Sequence, residues 1–156
     1  MMKKKYSAND LQQLLFSNSN TRGIYLDLGC GTRKKPGYIG LDTVKLEGVD
    51  IVCDLEKGLP FEDDIVDSIF SNFFFEHVTN TIFLFQEIYR VCRNGAIVEF
   101  RVPYYQSVTQ YKDPTHKAII MPEMIRYFTN DKWYGSDYKI DTNFKLRAVR
   151  HVYLPP

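Results

Sequence analysis

The sequence predicts an α/β protein built on a mostly parallel β-sheet. Short apolar segments recur in the first two thirds of the chain, and several of them end in an acidic residue or a glycine. The first such segment starts at Tyr25 and runs into the turn Gly29-Cys30-Gly31. A glycine turn after a first strand is where open α/β sheets bind nucleotide-like ligands. The order of these segments therefore predicts one sheet with a ligand site at its carboxyl edge.

The helices and strands are expected in a fixed order. The strands after the first one are predicted at 39–42, 49–55, 66–72, 96–102 and 145–153. The helices are predicted at 9–16, at 79–93 with its end at Asn94-Gly95, and at 123–128 after Pro122. Residues 56–64 are expected to form a loop. Residues 32–38 are too few for a helical crossover, and Pro36 and Gly37 oppose a helix there, so we predict a loop.

Length and composition indicate one domain that spans residues 1–156. Residues 1–22 are predicted to form a helix and linker, 23–102 a ligand-binding core, and 103–156 an acceptor-side loop, helix and last strand. A net charge of +1 does not favour nucleic acid as a partner. No apolar stretch approaches the ~20 residues of a membrane span. Three cysteines without CxxC spacing predict reduced thiols, a cytoplasmic location and no metal site.

The residues around the glycine turn narrow the class of ligand. A dinucleotide fingerprint requires a third glycine and an acid about 20 residues further on. Lys34 stands at the third position, and Asp42 follows Gly31 after only eleven residues. A phosphate would gain nothing from Asp27 so close to the turn. A nucleoside that carries an ammonium group and no phosphate fits these residues better.

Several motifs carry a resemblance to a known family. They are LDLGCG at 26–31, GLD at 40–42, DLEKGLPFEDD at 54–64, EHV at 76–78, EIYRVCRNGA at 87–96 and VEFRVPYY at 98–105. In this order they resemble the class I S-adenosylmethionine-dependent methyltransferases, specifically the type 11 methyltransferase domain. The resemblance covers roughly residues 24 to 128. It implies a Rossmann-like fold, S-adenosyl-L-methionine as cofactor, S-adenosyl-L-homocysteine as product, and a small-molecule methyl acceptor.

The resemblance implies a role for each matching cofactor-side position. The implied cofactor-binding residues are Asp27, Gly29, Cys30 and Gly31 at the methionine part, Asp42 at the ribose, Asp54 and Leu55 at the adenine, and Asn72, Phe73 and His77 near the reactive end. A simpler interpretation stays open, in which the acids end strands or cap helices. Asp54 also fits an ordinary turn, and His77 also fits the start of a helix.

The acceptor side is expected just after the fifth predicted strand, since ligands bind at the carboxyl ends of such strands. Tyr104, Tyr105 and Tyr111 are predicted to shape the acceptor pocket. His116 is the candidate general base, because its ordinary pKa lies near 6.5, and Asp113 is the candidate residue that orients it. In the alternative interpretation, Asp113-Pro114 forms a turn and His116 packs locally.

Two other functions stay open at this point. One is a nicotinamide-dependent oxidoreductase on a similar sheet. The other is a non-catalytic relative that binds S-adenosylmethionine, or nothing, and acts through protein contacts. The family also ends in an antiparallel hairpin, whereas this chain has one candidate strand after residue 144, which predicts an incomplete or shortened hairpin. The exposed sheet edge then predicts a homodimer.

Overall fold

The computed structural model describes residues 5–16, 23–129 and 139–152, with the side chains of residues 15 and 16 excepted. Five parallel strands form one sheet in the order β3-β2-β1-β4-β5. They are β1 (Tyr25–Leu28), β2 (Ile39–Asp42), β3 (Ile51–Val52), β4 (Val66–Asn72) and β5 (Cys92–Arg101). The helices are α1 (Ala8–Phe16), α2 (Thr81–Val91), α3 (Val108–Lys112) and α4 (Pro122–Ile125), with 3-10 turns at Leu55–Lys57, Phe75–His77 and Arg126–Phe128. This architecture confirms the predicted Rossmann-like α/β class.

The core lies on one face of the sheet. Alternate strand residues point to this face and are buried, as the two-residue period of a strand requires; they include Leu26, Leu28, Ile39, Leu41 and Ile69. The buried side of α2 joins the same cluster through Leu84, Phe85, Ile88 and Val91. The helix begins at Asn80, whose side-chain oxygen accepts a hydrogen bond from the Phe83 N–H at 3.0 Å.

A loop covers part of the opposite face. Residues 32–38 contain no helix, as predicted, and they return the chain directly from β1 to β2. The Tyr38 ring lies against the rings of Tyr25 and Phe70, with centroids 5.5 and 6.2 Å away. The Lys35 ammonium lies 4.1 Å from the Phe70 ring centroid. Aromatic and cation–π contacts from a loop therefore shield a part of the sheet where a crossover helix would otherwise lie.

Two boundaries differ from the prediction for local reasons. The third strand is shorter than the predicted segment 49–55, because Asp54 caps a 3-10 turn by accepting the Glu56 N–H at 3.1 Å. The helix at 79–93 ends at Val91, so the predicted end at Asn94-Gly95 is wrong. Those two residues lie within β5, where the register to β4 shifts and Gly95 adopts a φ of +87°. A glycine at a strand irregularity therefore gives the same local sequence signal as a glycine that ends a helix.

The last part of the chain also differs from the prediction. A sixth strand over 145–153 is wrong for residues 145–152, which form no strand; residue 153 lies outside the described part. Just before this segment, Phe144 forms an isolated bridge with Thr129, and its N–H donates to the Phe128 carbonyl at 2.9 Å. The prediction of a homodimer through an exposed sheet edge stays a prediction. In the described part of the chain, the helices are too short or too polar to cross a membrane.

The glycine turn joins β1 to β2 through backbone hydrogen bonds. The N–H groups of Gly29 and Cys30 both donate to the Leu41 carbonyl, at 2.9 and 3.1 Å. Gly29 adopts a φ of +65°, which L side chains rarely adopt. A Cβ at this position would lie 2.4 Å from the Phe74 ring. Gly29 is therefore required both by its backbone conformation and by the close approach of Phe74.

Arg90 ties α2 to the loop before β4. Its guanidinium donates to the backbone carbonyls of Leu59 and Phe61, each at 2.9 Å. It also forms ion pairs with Glu87 and Asp63, at 2.7 and 2.6 Å. Glu87 in turn accepts the Leu59 N–H at 2.8 Å. One side chain thus binds two carbonyls of an irregular segment, which also pairs with Tyr6 through an isolated bridge.

Replacement of Gly29 by alanine should destabilise the fold more than the same change at Gly37. Both residues have positive φ, but a Cβ at Gly37 would meet no atom within 4 Å. The difference between the two variants isolates the contact with Phe74, and we expect about 1–3 kcal/mol in the free energy of unfolding. Urea denaturation measures it. Equal losses of unfolding free energy in the two variants would show that the Phe74 ring moves aside without an energetic cost.

Replacement of Arg90 by alanine should lower the free energy of unfolding by about 2–3 kcal/mol, because two backbone carbonyls and Glu87 lose a charged donor. Arg101→Ala is the matched control, since its contact with Glu99 is exposed and 3.4 Å long, and it should cost less than about 1 kcal/mol. Urea denaturation of both variants provides the comparison. A similar cost for both would mean that the Arg90 network adds nothing beyond an exposed ion pair.

Candidate cofactor and acceptor site

The predicted cofactor residues follow the carboxyl ends of neighbouring strands. Leu28 of β1 pairs with Leu41 of β2 and with Ser71 of β4. The glycine turn, Asp42 and Asn72 come directly after these three positions, so they lie along one edge of the sheet. The strand order reverses between β1 and β4, and ligands bind at such a switch point in open α/β sheets. The fold therefore brings together the residues that the sequence predicts at this edge.

Asp27 is buried beneath the loop that follows the turn. Its side chain is 1% exposed, and its Oδ2 accepts the Lys35 N–H at 2.7 Å. Burial raises the pKa of this carboxyl above its ordinary value, and the Lys35 N–H and the charges of Lys35 and Lys34 lower it in part. The carboxylate thus holds the loop 32–38 against β1. Its predicted contact with the methionine part of a cofactor stays a prediction.

Asp42 holds the turn with one oxygen and leaves the other less firmly bound. Its Oδ2 accepts the Gly31 N–H at 2.9 Å. Its Oδ1 has only long contacts, 3.3 Å to the Val44 N–H and 3.4 Å to the Thr43 hydroxyl. A Cβ at Gly31 would meet no atom within 4 Å, so open space lies beside the turn. An acceptor oxygen beside open space suits a ligand that carries hydroxyl groups.

Cys30, between the two glycines, is a buried thiol. Burial raises its pKa to about 11, and the charges of Asp27, Asp42 and Asp50 contribute to the shift. A thiol with this pKa is protonated at neutral pH and is therefore a poor nucleophile and a poor metal ligand. Cys30 is thus a small buried residue that packs beneath the turn, where a Cβ on Gly40 would lie 2.7 Å from its sulfur.

The lysines near the turn are engaged in ion pairs. The Lys34 ammonium lies 2.8 and 3.0 Å from the two carboxylate oxygens of Asp50. The Lys35 ammonium lies over the Phe70 ring and 3.7 Å from Glu99. No helix follows the turn, so the N–H groups of a helix N-terminus are absent from residues 32–38. The turn therefore lacks the two features that stabilise a pyrophosphate at this place.

Asp54 and Leu55 adopt the turn that was the simpler interpretation of this segment. Asp54 caps the 3-10 turn and pairs with Lys57 at 2.7 Å. Leu55 is 2% exposed and packs in the core. Asp54 also borders a cavity of about 260 Å³, together with Cys53, Phe83 and Glu87. Contact of Asp54 and Leu55 with an adenine ring stays a prediction.

Asn72 ends β4, and Phe73 follows it in a strained conformation. Both residues are exposed, and Phe73 adopts a φ of +55°, which is unusual for a bulky side chain. Its N–H donates to the Arg101 carbonyl at 2.9 Å, which holds the strained residue in place. Strain of this kind is concentrated at functional sites. The position is consistent with a contact to a ligand at the switch point.

Residues 115–118 dock on the segment after β4. The N–H groups of Lys117 and Ala118 both donate to the Glu76 carbonyl, at 2.7 and 3.0 Å. This pairing brings His116 beside His77, with ring centroids 4.8 Å apart and the rings at 76° to each other. A predicted cofactor residue and the predicted base therefore belong to one cluster, although 39 positions separate them in the sequence.

Hydrogen bonds fix the same tautomer in both histidines. The Nδ1 of His116 lies 2.8 Å from the Gln110 carbonyl. The Nδ1 of His77 lies 3.3 Å from the Thr115 carbonyl and 3.1 Å from the Thr115 hydroxyl. That hydroxyl donates its only proton to Asp113, so it accepts from His77. Because carbonyls only accept, each neutral ring carries its proton on Nδ1 and a lone pair on Nε2.

Asp113 does not orient His116 in the predicted way. Its Oδ1 accepts from the Thr115 N–H and hydroxyl, at 2.8 and 2.6 Å, and these bonds lower the pKa of Asp113. Its Oδ2 lies 3.7 Å from the His116 Nε2, which is too far for a hydrogen bond. The orienting group is the Gln110 carbonyl on the other side of the ring. Asp113 instead shapes the turn that presents His116.

The predicted acceptor residues are only partly brought together. A cavity of about 370 Å³ is lined by Tyr111, Asp113, His116 and Lys117, among others. Tyr104 and Tyr105 are not part of this lining and pack against each other, with ring centroids 4.7 Å apart and the rings at 51°. The Tyr111 hydroxyl donates to the Tyr105 carbonyl at 2.8 Å and so links the two groups.

Two buried polar residues beside the histidines were not predicted as site residues. The side chain of Glu76 is 1% exposed and points away from solvent beside both histidines. Gln110 is 4% exposed, and its side-chain amide donates to the Ala118 carbonyl at 3.2 Å. No local sequence signal distinguishes a buried polar residue from an exposed one. The burial of both follows from the docking of 115–118.

Comparison with known proteins gives one family match and a set of similar folds. Residues 41–100 match the model of the family described as methyltransferase domain. Among curated proteins, no significant match is found. The YcgJ protein of Bacillus subtilis has a similar structure, with a TM-score of 0.54 and 18% identity; the match covers 74% of this chain and 64% of YcgJ. At this identity the likeness concerns the fold alone.

Two further solved structures are less similar. One contains the Haloferax volcanii Trm112 methyltransferase activator with a methyltransferase; its match has 22% identity and a TM-score of 0.44 and covers 62% of this chain and 53% of that one. The other is Haemonchus contortus phosphoethanolamine N-methyltransferase 2 with S-adenosyl-L-methionine; its match has 18% identity and a TM-score of 0.47 and covers 75% of this chain and 34% of that one. This chain thus spans less than two thirds of each of these three chains.

The matched segment 41–100 contains the last two residues of β2, all of β3, β4 and α2, and most of β5. The strand order and the parallel pairing extend the agreement to the whole described sheet. These findings confirm the resemblance of this chain to the class I S-adenosylmethionine-dependent methyltransferases of the type 11 methyltransferase domain, in the matched segment and in the fold.

Proposed function

We propose that this protein is an S-adenosyl-L-methionine-dependent methyltransferase that acts on a small-molecule acceptor and releases S-adenosyl-L-homocysteine. One observation carries the proposal: Asp42 and a glycine turn with open space beside it lie together at the switch point of the sheet. The match of residues 41–100 to the methyltransferase domain supports it. The acceptor class comes from the family resemblance.

The electrostatics of the turn favour this cofactor over a dinucleotide. Lys34 and Lys35 are engaged with Asp50 and Glu99, and no helix N-terminus follows the turn. A pyrophosphate would therefore meet two lysines that are already paired and no helix N-terminus, whereas an ammonium group and ribose hydroxyls need only acceptors. The acids at this edge supply such acceptors. A nicotinamide-dependent oxidoreductase is thus the weaker alternative.

The residues along the edge divide the binding task. Asp42 Oδ1 accepts hydrogen bonds from the ribose hydroxyls. The backbone of Gly29, Cys30 and Gly31 lies against the methionine part, and Asp27 holds the loop that follows this turn. Asp54 and Leu55 adjoin the adenine, while Asn72, Phe73 and His77 adjoin the reactive end. S-adenosyl-L-methionine supplies an electrophilic methyl group on a sulfonium. The chain positions the two reactants, and orientation provides much of the rate in such a displacement.

The acceptor side is proposed to lie at the cavity that His116 and Tyr111 line. The free lone pair on His116 Nε2 is placed to accept a proton from a hydroxyl or amine acceptor. Gln110 fixes the tautomer that makes this lone pair available. Asp113 acts through the Thr115 turn, and Tyr104 and Tyr105 support the wall of the cavity through Tyr111.

Calorimetry should detect binding of S-adenosyl-L-methionine and S-adenosyl-L-homocysteine and no binding of NAD(H). Asp42→Ala should weaken both affinities by about 1–3 kcal/mol, because hydrogen bonds to a charged group are lost. Asp141→Ala, at an exposed acid away from the strand ends, is the control and should bind normally. Binding of NAD(H) alone would revive the oxidoreductase, and binding without turnover on any acceptor would favour the non-catalytic relative.

Replacement of His116 by glutamine should leave S-adenosyl-L-methionine affinity unchanged and lower methyl transfer by roughly 10²–10⁴-fold, the usual contribution of a positioned base. The measurement follows the release of S-adenosyl-L-homocysteine with a panel of small hydroxyl and amine acceptors. Asp113→Asn should retain most activity, since Asp113 shapes the turn and does not contact His116 by a hydrogen bond. Equal turnover in His116→Gln and the unmodified enzyme would eliminate the base role.

A further inference from the structure

We propose that Glu76, His77 and His116 form a binding site for a divalent transition-metal ion of the Zn²⁺ type. One potential ligand atom from each of the three residues lies within 4.8 Å of the other two. The cluster joins the turn after β4 to the Asp-Pro-Thr-His segment, so it exists only in the folded chain. The proposal concerns metal binding and does not rest on methyl transfer.

The first argument is the environment of Glu76. Both of its carboxylate oxygens are buried, and neither has a hydrogen-bond partner among the described residues. A buried carboxylate without a partner costs free energy unless a cation or a donor satisfies it. Besides Glu76, the cluster contains one ligand atom from each of the two histidines, and Asp113 lies 3.7 Å from the His116 Nε2. A metal ion would satisfy the carboxylate that the protein leaves unpartnered.

The second argument is the orientation of the two histidines. Each donates its Nδ1–H to a backbone carbonyl, His116 to Gln110 and His77 to Thr115. Histidines that bind metal ions almost always donate their second ring N–H in this way, which fixes the tautomer and raises the basicity of the ligating nitrogen. Both rings therefore have the second-shell partner of a metal ligand and a free Nε2 lone pair.

The ligand set indicates the class of ion. Two histidines and one carboxylate bind Zn²⁺ in catalytic sites and Fe²⁺ in mononuclear sites, and in both cases positions stay open for water or substrate. Mg²⁺ prefers an all-oxygen environment and would bind poorly. The thiols of Cys30 and Cys92 are protonated and lie outside the cluster. A borderline ion with imidazole affinity is therefore the expected ligand.

The surroundings provide room and charge for such an ion. His116 and Asp113 both line the cavity of about 370 Å³, so an ion bound at His116 would be accessible from it. The Asp113 Oδ2 lies 3.7 Å from the His116 Nε2 and adds negative charge beside Glu76. Two carboxylates and two neutral imidazoles match a doubly charged cation. One lone pair cannot serve both a metal ion and a proton, so the metal-loaded protein cannot use His116 as a base.

The test uses the full chain without a purification tag, after removal of metal by a chelator. Calorimetric titration with Zn²⁺ should give one site per chain, and Mg²⁺ should give none. Co²⁺ should produce visible d–d absorption without an intense thiolate charge-transfer band. Absence of stoichiometric Zn²⁺ and Co²⁺ binding would overturn the proposal. A thiolate band would do the same, because it would place the ion on cysteine.

Matched variants locate the site. Glu76→Gln, His77→Gln and His116→Gln should each weaken Zn²⁺ binding by more than about 100-fold, since loss of a second-shell partner alone costs roughly 10- to 100-fold. His151→Gln removes the third histidine of the chain, which lies outside the cluster, and should bind like the unmodified protein. Equal losses in all four variants, or no loss in the first three, would contradict the assignment.

Thermal unfolding separates metal binding from folding. In chelator, Glu76→Gln should melt at or above the temperature of the unmodified protein, because the change removes a buried unpaired charge. Added Zn²⁺ should raise the melting temperature of the unmodified protein and of His151→Gln but leave Glu76→Gln unchanged, since only native-state binding stabilises. A lower melting temperature of Glu76→Gln in chelator, together with normal Zn²⁺ binding, would show that Glu76 is purely structural.

Discussion

The structure depends on how the chain returns from β1 to β2 without a helix. A parallel pair of strands ordinarily needs a crossover of a dozen residues or more. Here residues 32–38 achieve it, because Asp27 accepts the Lys35 N–H from beneath and Asp42 accepts the Gly31 N–H from the neighbouring strand. The two carboxylates thus accept backbone N–H groups that a helical crossover would satisfy with its own carbonyls. The ligand edge of the sheet is thus shaped by acids that also hold the backbone.

This double use of the acids explains the character of the proposed cofactor site. The loop directs Lys34 and Lys35 away from the turn, toward Asp50 and the Phe70 ring. Acceptor oxygens therefore dominate the edge, and cationic or hydroxyl-bearing groups are favoured over phosphates. The short loop between β1 and β2 therefore shapes both the backbone path and the kind of ligand that this edge favours.

The sequence predicts the edge better than it predicts the acceptor side, for a physical reason. Strand ends in a parallel sheet meet by construction, so Asp27, Gly29, Asp42 and Asn72 could be placed from the order of the segments. The meeting of Glu76 and His77 with His116 depends instead on two backbone hydrogen bonds between irregular segments. Irregular segments have no periodicity that a sequence reveals. The prediction of no metal site considered cysteine spacing and could not foresee this contact.

The helix end at 94–95 and the sixth strand failed for related reasons. Asn94-Gly95 carries the local signal of a helix end, but the pairing of β5 with β4 extends the strand back to Cys92 and makes the glycine a bulge. Residues 145–152 alternate in polarity like a strand, yet they pair with no strand of the described sheet. In both cases tertiary pairing overrides a local pattern. Local signals decide an element only where the fold leaves the choice open.

Two residues in energetically unfavourable states lie close together after β4, and their placement relates the fold to the proposed site. Phe73, with its positive φ, and Glu76, with its unpartnered carboxylate, are three positions apart after β4. The positive φ of Phe73 and the unpartnered carboxylate of Glu76 each cost stability. The Arg101 carbonyl and the docked segment 115–118 hold them in place nevertheless. Such rigid support for two unfavourable groups fits a site whose ligands supply the missing interactions.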